Sequence, residues 1–227
     1  MFRVTFTNAL LMASAFSIAL PGMAADSAPL TLKVNYQPAA CGVNLSSQHT
    51  DFGDISPQSL TNNATGTPLN TPNPVEINVT CSGEVALAVM FIDHRKSSTV
   101  EGLDYNGPQG KLGNLSKQHV FGLGYDSQGS TIGGWVPYLS QVRINGEPTP
   151  FALVNQDGLP DAISSQSSEK IMPDHGFTPV NHLAQVQKFT QLHANMHTVT
   201  TLSPLSKLSL RDEVRIDGNI TVQITYL

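Results

Sequence analysis

This 227-residue chain contains two closely spaced histidines whose type and spacing could support metal binding. His193 and His197 are four residues apart, so on a helix they would share one face and could bind a metal ion. No glutamate joins them in an HExxH arrangement, and apolar residues of this segment recur with a period of two, which favours a strand. We therefore expect no metal site here.

Two adjacent pairs, Asp93-His94 and Asp174-His175, could each supply half of a catalytic site. Serine is abundant, but no GxSxG sequence marks a nucleophile elbow. Gly122 and Gly124 form a GxG that precedes neither a phosphate loop nor a helix, so it does not predict nucleotide binding. We predict a protein that is not an enzyme, with no catalytic residues and no cofactor; an exported enzyme is kept as an alternative.

The start of the chain has the organisation of a secretory signal peptide. Arg3 gives a positive charge, and the apolar run over 9–20 is too short to span a membrane. Small residues precede a cleavage site after Ala24. We predict a signal peptide over residues 1–24 and an exported mature chain, residues 25–227, forming a single domain.

Export makes the cysteines informative, because the chain has only Cys41 and Cys81. An oxidising compartment would join them, whereas a zinc site would require closer CxxC spacing. We predict a structural disulfide that closes a loop of about forty residues.

The charge balance is acidic. The whole chain has 12 basic and 17 acidic side chains, and removal of Arg3 with the signal leaves 11 basic residues and a net charge of −6. No basic cluster is present, which argues against nucleic-acid binding. Only 13 % of the residues are charged, a composition typical of an extracellular β protein with many turns.

Alternating apolar residues predict strands at short intervals along the chain. A hairpin turn is predicted at Asn145-Gly146, with Phe151–Val154 as the returning strand. The segment 155–179 is polar and rich in proline, which predicts a long loop. The other predicted strands lie around 30–36, 75–79, 85–91, 120–125, 187–199 and 220–227.

The last strand is apolar on one face only. Ile220, Val222, Ile224 and Tyr226 alternate with polar residues, and they would line one side of an extended segment. An exposed apolar edge invites aggregation, so a neighbouring strand is expected. Either an earlier strand of this chain or a strand of another chain could supply it.

Seven or more short strands, few helix signals and one disulfide predict an all-β fold, an immunoglobulin-like β-sandwich. The antibody pattern is not met, because Trp135 follows both cysteines instead of lying between them.

Both ends of the mature chain resemble the subunits of chaperone–usher fimbriae. The segment Pro38–Cys41, the stretch Asp51–Ile55 with its FG pair, the spacing to Cys81 and the penultimate Tyr226 are all similar to that family. The chain is longer than a typical rod subunit, with the excess between about 92 and 179, and shorter than a two-domain adhesin. Only sixteen residues of the mature chain, 25–40, precede Cys41, so an N-terminal extension would be short.

The resemblance implies a pilin-type sandwich that is incomplete, with a groove beside the C-terminal strand. A periplasmic chaperone would fill this groove with its own strand, and an N-terminal extension of another subunit would later replace the chaperone strand. An outer-membrane usher would guide export to the cell surface of a Gram-negative bacterium. Ile220, Val222, Ile224 and Tyr226 would border the groove, and the carboxylate of Leu227 would anchor to the chaperone. The candidate donor strand contains Leu30, Leu32 and Val34.

A carbohydrate-binding adhesin module of similar sandwich fold is a second alternative. Trp135, Tyr138 and Tyr125 could stack on sugar rings, with the long loops as a rim. A glycan receptor is compatible with a fimbrial subunit.

Overall fold

The structure is a computed structural model that describes residues 30–33, 39–70, 73–160, 168–209 and 215–227. The chain divides into two units, residues 1–37 and residues 38–227. In the first unit the described residues 30–33 have no regular secondary structure, and Leu30 and Leu32 are exposed. The predicted signal peptide and Val34 lie outside the described residues.

Fourteen strands and four single-turn 3-10 helices make up the regular structure of the described part of residues 38–227. The strands are β1 (Cys41–Leu45), β2 (Thr67–Pro68), β3 (Val75–Val85), β4 (Leu87–Asp93), β5 (Asp104–Gly107), β6 (Gly110–Asn114), β7 (Phe121–Gly122), β8 (Gly133–Ile144), β9 (Glu147–Pro148), β10 (Phe151–Val154), β11 (Ser168–Lys170), β12 (His175–Pro179), β13 (Phe189–Leu202) and β14 (Ile220–Tyr226).

Antiparallel pairing joins these strands into two principal sheets and one hairpin. The larger sheet has the order β1-β3-β13-β8-β11, with β2 beside β13 and with β7 and β9 beside β8. The smaller sheet has the order β10-β12-β4-β14, and β5 pairs with β6. The inner faces of the two principal sheets share one apolar core. The predicted all-β sandwich is confirmed.

The inward rows of the strands explain why this sequence forms a sandwich. In β3 the side chains of Val75, Ile77 and Val79 are buried while their neighbours are more exposed, as expected for a strand with one face on the core. In contrast, β4 is buried on both faces: Phe91 packs in the core between the sheets, and Met90 packs with Val154 in a small outer cluster. The sequence Leu87–Asp93 accordingly reads as a continuous apolar run rather than an alternating one.

The hairpin prediction at Asn145-Gly146 is correct in its turn and wrong in its returning strand. Both residues have positive φ, 49° and 88°, as a two-residue hairpin turn requires. The returning strand is the two-residue β9, which pairs with the end of β8. Phe151–Val154 instead crosses to the smaller sheet as β10 and pairs with β12.

The prediction of a long loop over 155–179 is also wrong in part. Residues 161–167 lie outside the described residues, but β11 extends the larger sheet and β12 lies between β10 and β4 in the smaller one. The strand predicted over 187–199 is confirmed as β13, and the one predicted over 120–125 is reduced to the two residues of β7.

Part of the chain's extra length folds on the outer face of the larger sheet. The hairpin of β5 and β6 and its flanking residues form a second core there, in which Leu103 and Tyr105 pack with Val136, Tyr138 and Val199. This core lies on the side of the larger sheet that faces away from the smaller sheet, because Val136 and Tyr138 alternate along β8 with the inward-facing Trp135 and Leu139.

Cys41 and Cys81 are joined by a disulfide and lie directly opposite each other in the β1–β3 pair. The predicted bridge is therefore confirmed, and it indicates an oxidising, extracytoplasmic compartment. Within the described ranges, no helix has the length and apolar content that crossing a bilayer requires.

Candidate functional site

The C-terminal strand β14 lies at the edge of the smaller sheet. On one side it pairs with β4 over its whole length, from Ile220 opposite Asp93 to Tyr226 opposite Leu87. On the other side no described strand pairs with it. Its inward side chains pack on the core but remain half-exposed; they are Ile220, Val222 and Ile224.

The free edge of β14 presents backbone hydrogen-bonding groups at alternate residues. The ladder to β4 includes the Asn219 carbonyl, which accepts from the His94 N–H at 3.0 Å, and the Leu227 N–H, which donates to the Ala86 carbonyl at 3.1 Å. Because an antiparallel ladder uses every second residue, the intervening residues direct their N–H and C=O groups away from β4. These residues are Ile220, Val222, Ile224 and Tyr226.

The first strand, β1, forms the facing edge of the larger sheet. It pairs with β3 through residues such as Ala40, which accepts from the Ser82 N–H, and Ser46, which donates to the Glu76 carbonyl, both at 2.9 Å. The alternate residues therefore point their backbone groups away from β3, and their half-buried side chains pack on the core. These residues are Cys41, Val43 and Leu45.

Tyr226 closes one end of the space between these two edges. Its phenolic oxygen accepts a hydrogen bond from the Cys41 N–H at 3.0 Å. At the other end of β14, a cavity is lined by both Leu45, the last residue of β1, and Ile220. The space is thus closed at Tyr226 and open at Ile220.

Two adjoining cavities occupy the open end, with volumes of about 440 and 530 Å³. One wall is formed by residues 45–57, which continue from the end of β1. The other wall is formed by residues 215–220, which lead into β14. Both cavities are lined by Thr50, Phe52 and Ile216. We call the whole space, between these walls and along the free edge of β14, the open groove.

Comparison with known proteins gives no match. No protein-family model, no curated protein and no solved structure is similar to the chain.

The floor of the open groove is partly polar at its Ile220 end. Trp135, Thr198 and Thr200 line the 440 Å³ cavity there. The Trp135 indole N–H and the Thr198 hydroxyl are buried and have no hydrogen-bond partner among the described residues. Burying such groups without a partner costs about 1–3 kcal/mol each.

The residues predicted to border a groove lie on β14 or directly after it. Ile220, Val222 and Ile224 pack on the core, whereas Tyr226 is half-exposed and bridges to β1. Leu227 is exposed at the end of the strand, where its side chain approaches Gly158. Of the candidate donor strand, Leu30 and Leu32 are exposed, and Val34 lies outside the described residues.

The opposite wall was not predicted from the sequence. Residues 45–57 contain the half-buried Phe52 and Ile55, but this segment has no strand beyond β1. Its apolar residues are not in strict alternation. The sequence feature that could have indicated this wall is the short apolar run that follows Cys41.

The histidines weighed as a metal pair lie on β13 rather than on a helix. Four residues along a strand span about 13 Å, too far for one metal ion. His193 hydrogen-bonds to the Asn78 side chain at 3.0 Å and His197 to Ser140 at 3.1 Å, and burial lowers the pKa of His197. Among the residues that the structure describes, no three His, Cys, Asp or Glu side chains are grouped closely enough to hold a metal ion.

The carboxylates weighed as catalytic groups anchor loops instead. Asp93 accepts hydrogen bonds from the backbone N–H groups of Arg95 at 2.7 Å and Gly122 at 3.1 Å. Burial raises the pKa of Asp93 above its usual range despite these bonds. His94, the residue beside it, hydrogen-bonds to Thr221 at 2.7 Å.

In the second Asp–His pair, the two side chains also face other groups. Asp174 accepts from the Lys96 ammonium at 2.6 Å, and His175 Nδ1 lies 2.8 Å from the Pro173 carbonyl.

The three aromatic residues weighed as a sugar platform do not lie on one surface. Trp135 packs in the core between the sheets against Phe121, with ring centroids 5.1 Å apart. Tyr138 is buried in the second core on the other face of the sheet. Tyr125 is half-exposed, and its hydroxyl donates to the Ser97 carbonyl at 2.6 Å.

Proposed function

We propose that the protein is a structural or minor subunit of a surface fimbria, assembled by the addition of a strand from another chain to the open groove. The observation that carries this proposal is the free edge of β14, which combines unpaired backbone groups with a half-buried apolar row. In strand addition, backbone hydrogen bonds provide affinity, and alternate side chains in pockets provide specificity. Both requirements are met at this one edge.

The groove has the length and the chemistry for a single strand. The seven residues of β14 span about 20 Å, which matches an added strand of seven residues. Apolar side chains of that strand would complete the packing around Val222 and Ile224. Each buried aliphatic side chain is worth about 1.5–3 kcal/mol before ordering costs, so three of them stabilise the complex appreciably.

In this proposal a periplasmic chaperone supplies the first strand and a neighbouring subunit later replaces it, with an outer-membrane usher at the site of export. The disulfide is consistent with passage through the periplasm. Leu227 is exposed at the end of β14, and in this proposal a basic pair on the chaperone binds its carboxylate. The destination is the cell surface of a Gram-negative bacterium.

Expression of the mature chain in a periplasm, with and without the fimbrial chaperone, tests this function. We expect the chain to accumulate only with the chaperone and to purify as a complex with it. A chain that is stable, soluble and monomeric alone would contradict the proposal. If that stable chain bound a glycan on an array, it would favour the carbohydrate-binding alternative.

Matched substitutions on β14 make this test specific for the groove. Val222→Asp places a carboxylate in the apolar row, and we expect it to abolish recovery of the chaperone complex. Gln223→Asp changes the next side chain, which is exposed and faces away from the core, and should leave recovery close to that of the unmodified chain. Equal effects of the two substitutions would show that the inward row is not the binding surface.

A further inference from the structure

The chain contains five Asn-X-Ser/Thr sequences, the acceptor pattern for N-linked glycosylation of exported proteins. Their asparagines are Asn44, Asn63, Asn78, Asn114 and Asn219. The disulfide indicates an extracytoplasmic compartment, which is where oligosaccharyltransferases act. We propose that Asn219 is a site of N-linked glycosylation, a modification that does not depend on the function proposed above.

Two of these five sequences also carry a carboxylate two residues before the asparagine. Glu76 precedes Asn78 in this way, and Asp217 precedes Asn219. One class of oligosaccharyltransferase requires an acidic residue at this position as well as the hydroxyl two residues after the asparagine. The two sequences are equivalent in this respect, and the structure separates them.

Asn78 is enclosed by regular structure. It lies in β3, opposite Asn44 of β1 on one side and His193 of β13 on the other, so its strand is paired along both edges. Its half-buried side chain hydrogen-bonds to the His193 ring at 3.0 Å. An enzyme could reach the amide nitrogen only if the larger sheet opened. We therefore expect Asn78 to be unmodified in the folded chain.

Asn219 is accessible in the folded chain. It is exposed and is the last of residues 215–219, which have no regular secondary structure. Its carbonyl accepts a hydrogen bond from the His94 N–H at 3.0 Å, whereas its side-chain amide has no hydrogen-bond partner in the described part of the chain. The strand that follows, β14, is paired with β4 alone among the described strands. An enzyme can therefore engage this segment without opening the interior of a sheet.

The other two recognition groups are exposed as well. The Thr221 hydroxyl lies 2.7 Å from the His94 Nε2, and Asp217 forms an ion pair with Arg95. The side chains of this ion pair are 39 % and 57 % exposed for Arg95 and Asp217, respectively. Pairs of exposed side chains contribute little to folding stability, so they can be exchanged for contacts with an enzyme. The carboxylate, the amide and the hydroxyl are thus all available at one place on the surface.

The remaining three sequences lack the carboxylate, and the structure restricts the hydroxyl group of two of them. Ser46, which follows Asn44, accepts a hydrogen bond from the Glu76 N–H at 2.8 Å. Ser116, which follows Asn114, is half-buried and lies 3.0 Å from the His119 Nδ1. These sequences serve as comparisons inside the same chain.

The reaction transfers an oligosaccharide from a polyprenyl diphosphate to the Asn219 side chain. The amide nitrogen attacks the anomeric carbon of the first sugar, an N–C bond forms, and the bond from that carbon to the diphosphate oxygen breaks. The polyprenyl diphosphate leaves, and the amide nitrogen loses one proton. The glycan then stands beside the 440 Å³ cavity that Asn219 lines, just before β14 begins.

The mass of the mature chain isolated from its native cells tests the modification directly. We expect the mass of the polypeptide plus one oligosaccharide. Trypsin cleaves after Arg215, and the released peptide of residues 216–227 should carry the added mass. The same peptide found without a glycan would overturn the proposal.

The selection of Asn219 over Asn78 can be measured with a purified oligosaccharyltransferase of the acid-requiring class and a polyprenyl diphosphate-linked disaccharide. The acceptors are the folded mature chain and two peptides of equal length, residues 74–80 and 215–221. We expect both peptides to be glycosylated, and the folded chain to be glycosylated at Asn219 only. Modification of the folded chain at Asn78, or no modification of it at Asn219, would contradict the structural argument.

Matched substitutions identify the groups that the enzyme recognises. Asn219→Gln should abolish the added mass, and Asn78→Gln should leave it unchanged. Thr221→Ala should abolish it and Thr221→Ser should retain it, whereas Asp217→Asn should slow transfer about tenfold or more and Asp217→Glu should not. The same changes at positions 217 and 221 in the 215–221 peptide remove any contribution from folding. Equal rates for Asp217→Asn and the unmodified peptide would refute the role of this carboxylate.

Discussion

The phenolic oxygen of Tyr226 accepts a hydrogen bond from the backbone N–H of Cys41 at 3.0 Å, across 185 residues of sequence. The bond joins the edge of the smaller sheet to the edge of the larger one. It uses an N–H that β1 directs away from β3, and it sets the closed end of the open groove. An added strand can therefore extend along β14 only as far as this contact unless it displaces Tyr226.

Substitution Tyr226→Phe should weaken this contact without disturbing the ladder between β14 and β4. We expect a loss of about 0.5–1.5 kcal/mol in the free energy of unfolding, because a single neutral hydrogen bond is removed at a half-exposed site. Amide hydrogen exchange should quicken at Cys41 and stay unchanged at Val79, whose strand is paired on both sides. An unchanged exchange rate at Cys41 would show that the bond does not protect it.

Proline substitution distinguishes the free edge of β14 from its paired edge. In Val222→Pro the lost N–H points into the open groove, so we expect the chain to keep its fold and to lose affinity for an added strand. In Gln223→Pro the lost N–H belongs to the ladder with Met90, and we expect a destabilisation of about 3 kcal/mol or more. Urea unfolding and recovery of the chaperone complex would separate the two effects; destabilisation by both substitutions alike would contradict the assigned edge.

Removal of the disulfide should destabilise the sandwich, because the unfolded chain gains conformational entropy when the cross-link is absent. The bridge spans 40 residues, and for that loop the chain-entropy relation gives about 4 kcal/mol. We expect the Cys41→Ala, Cys81→Ala double variant to have a free energy of unfolding lower by that amount, and therefore to unfold at a lower urea concentration. Reductant should lower the midpoint of the unmodified chain and leave that of the variant unchanged, and a shift in both would point to another cause.

Two buried carboxylates should give opposite dependences of stability on pH. The pKa of Asp93 is raised by burial, so the folded state holds a proton more tightly than the unfolded one. Its contribution to stability is present below the unfolded value of 3.8 and is lost as pH rises through the folded pKa. We therefore expect the difference in unfolding free energy between the unmodified chain and Asp93→Asn to fall as pH rises above about 4.

Asp126 provides the matched comparison. Its carboxylate accepts backbone N–H groups of Ser209, Ser130 and Gln128 at 2.8–2.9 Å, chiefly that of Ser209, and these bonds lower its pKa. Its contribution is present above 3.8 and is lost as pH falls through the lowered pKa. Urea unfolding of Asp126→Asn over the same pH series should give the opposite slope, and slopes of one sign for both variants would refute the assignment.

The strands that alternate over several residues could be predicted from the sequence, because burial on one face leaves a period of two. This holds for β3, β13 and β14. It fails for β12, which is five residues long, ends in proline and is buried on both faces. Phe151–Val154 was assigned to the hairpin because it is the nearest apolar run, whereas the actual returning strand is the polar pair Glu147–Pro148.

For the open groove, the sequence predicted one wall and not the other. The row of Ile220, Val222 and Ile224 is local and alternates, so it is visible in the sequence. The wall over 45–57 has no regular structure beyond β1, and its position is set by contacts between residues far apart in the chain. For the same reason, no local pattern could pair Tyr226 with Cys41.

The hairpin of β5 and β6 makes the chain suited to carrying foreign peptides. Its tip, at Gly107–Gly110, projects from a core of its own on the outer face of the larger sheet, and the groove lies between the edges of the two sheets. An epitope inserted at Pro108-Gln109 would extend from that outer face and leave the free edge of β14 untouched. Under the function proposed above, a filament would then display one copy of the epitope for each subunit.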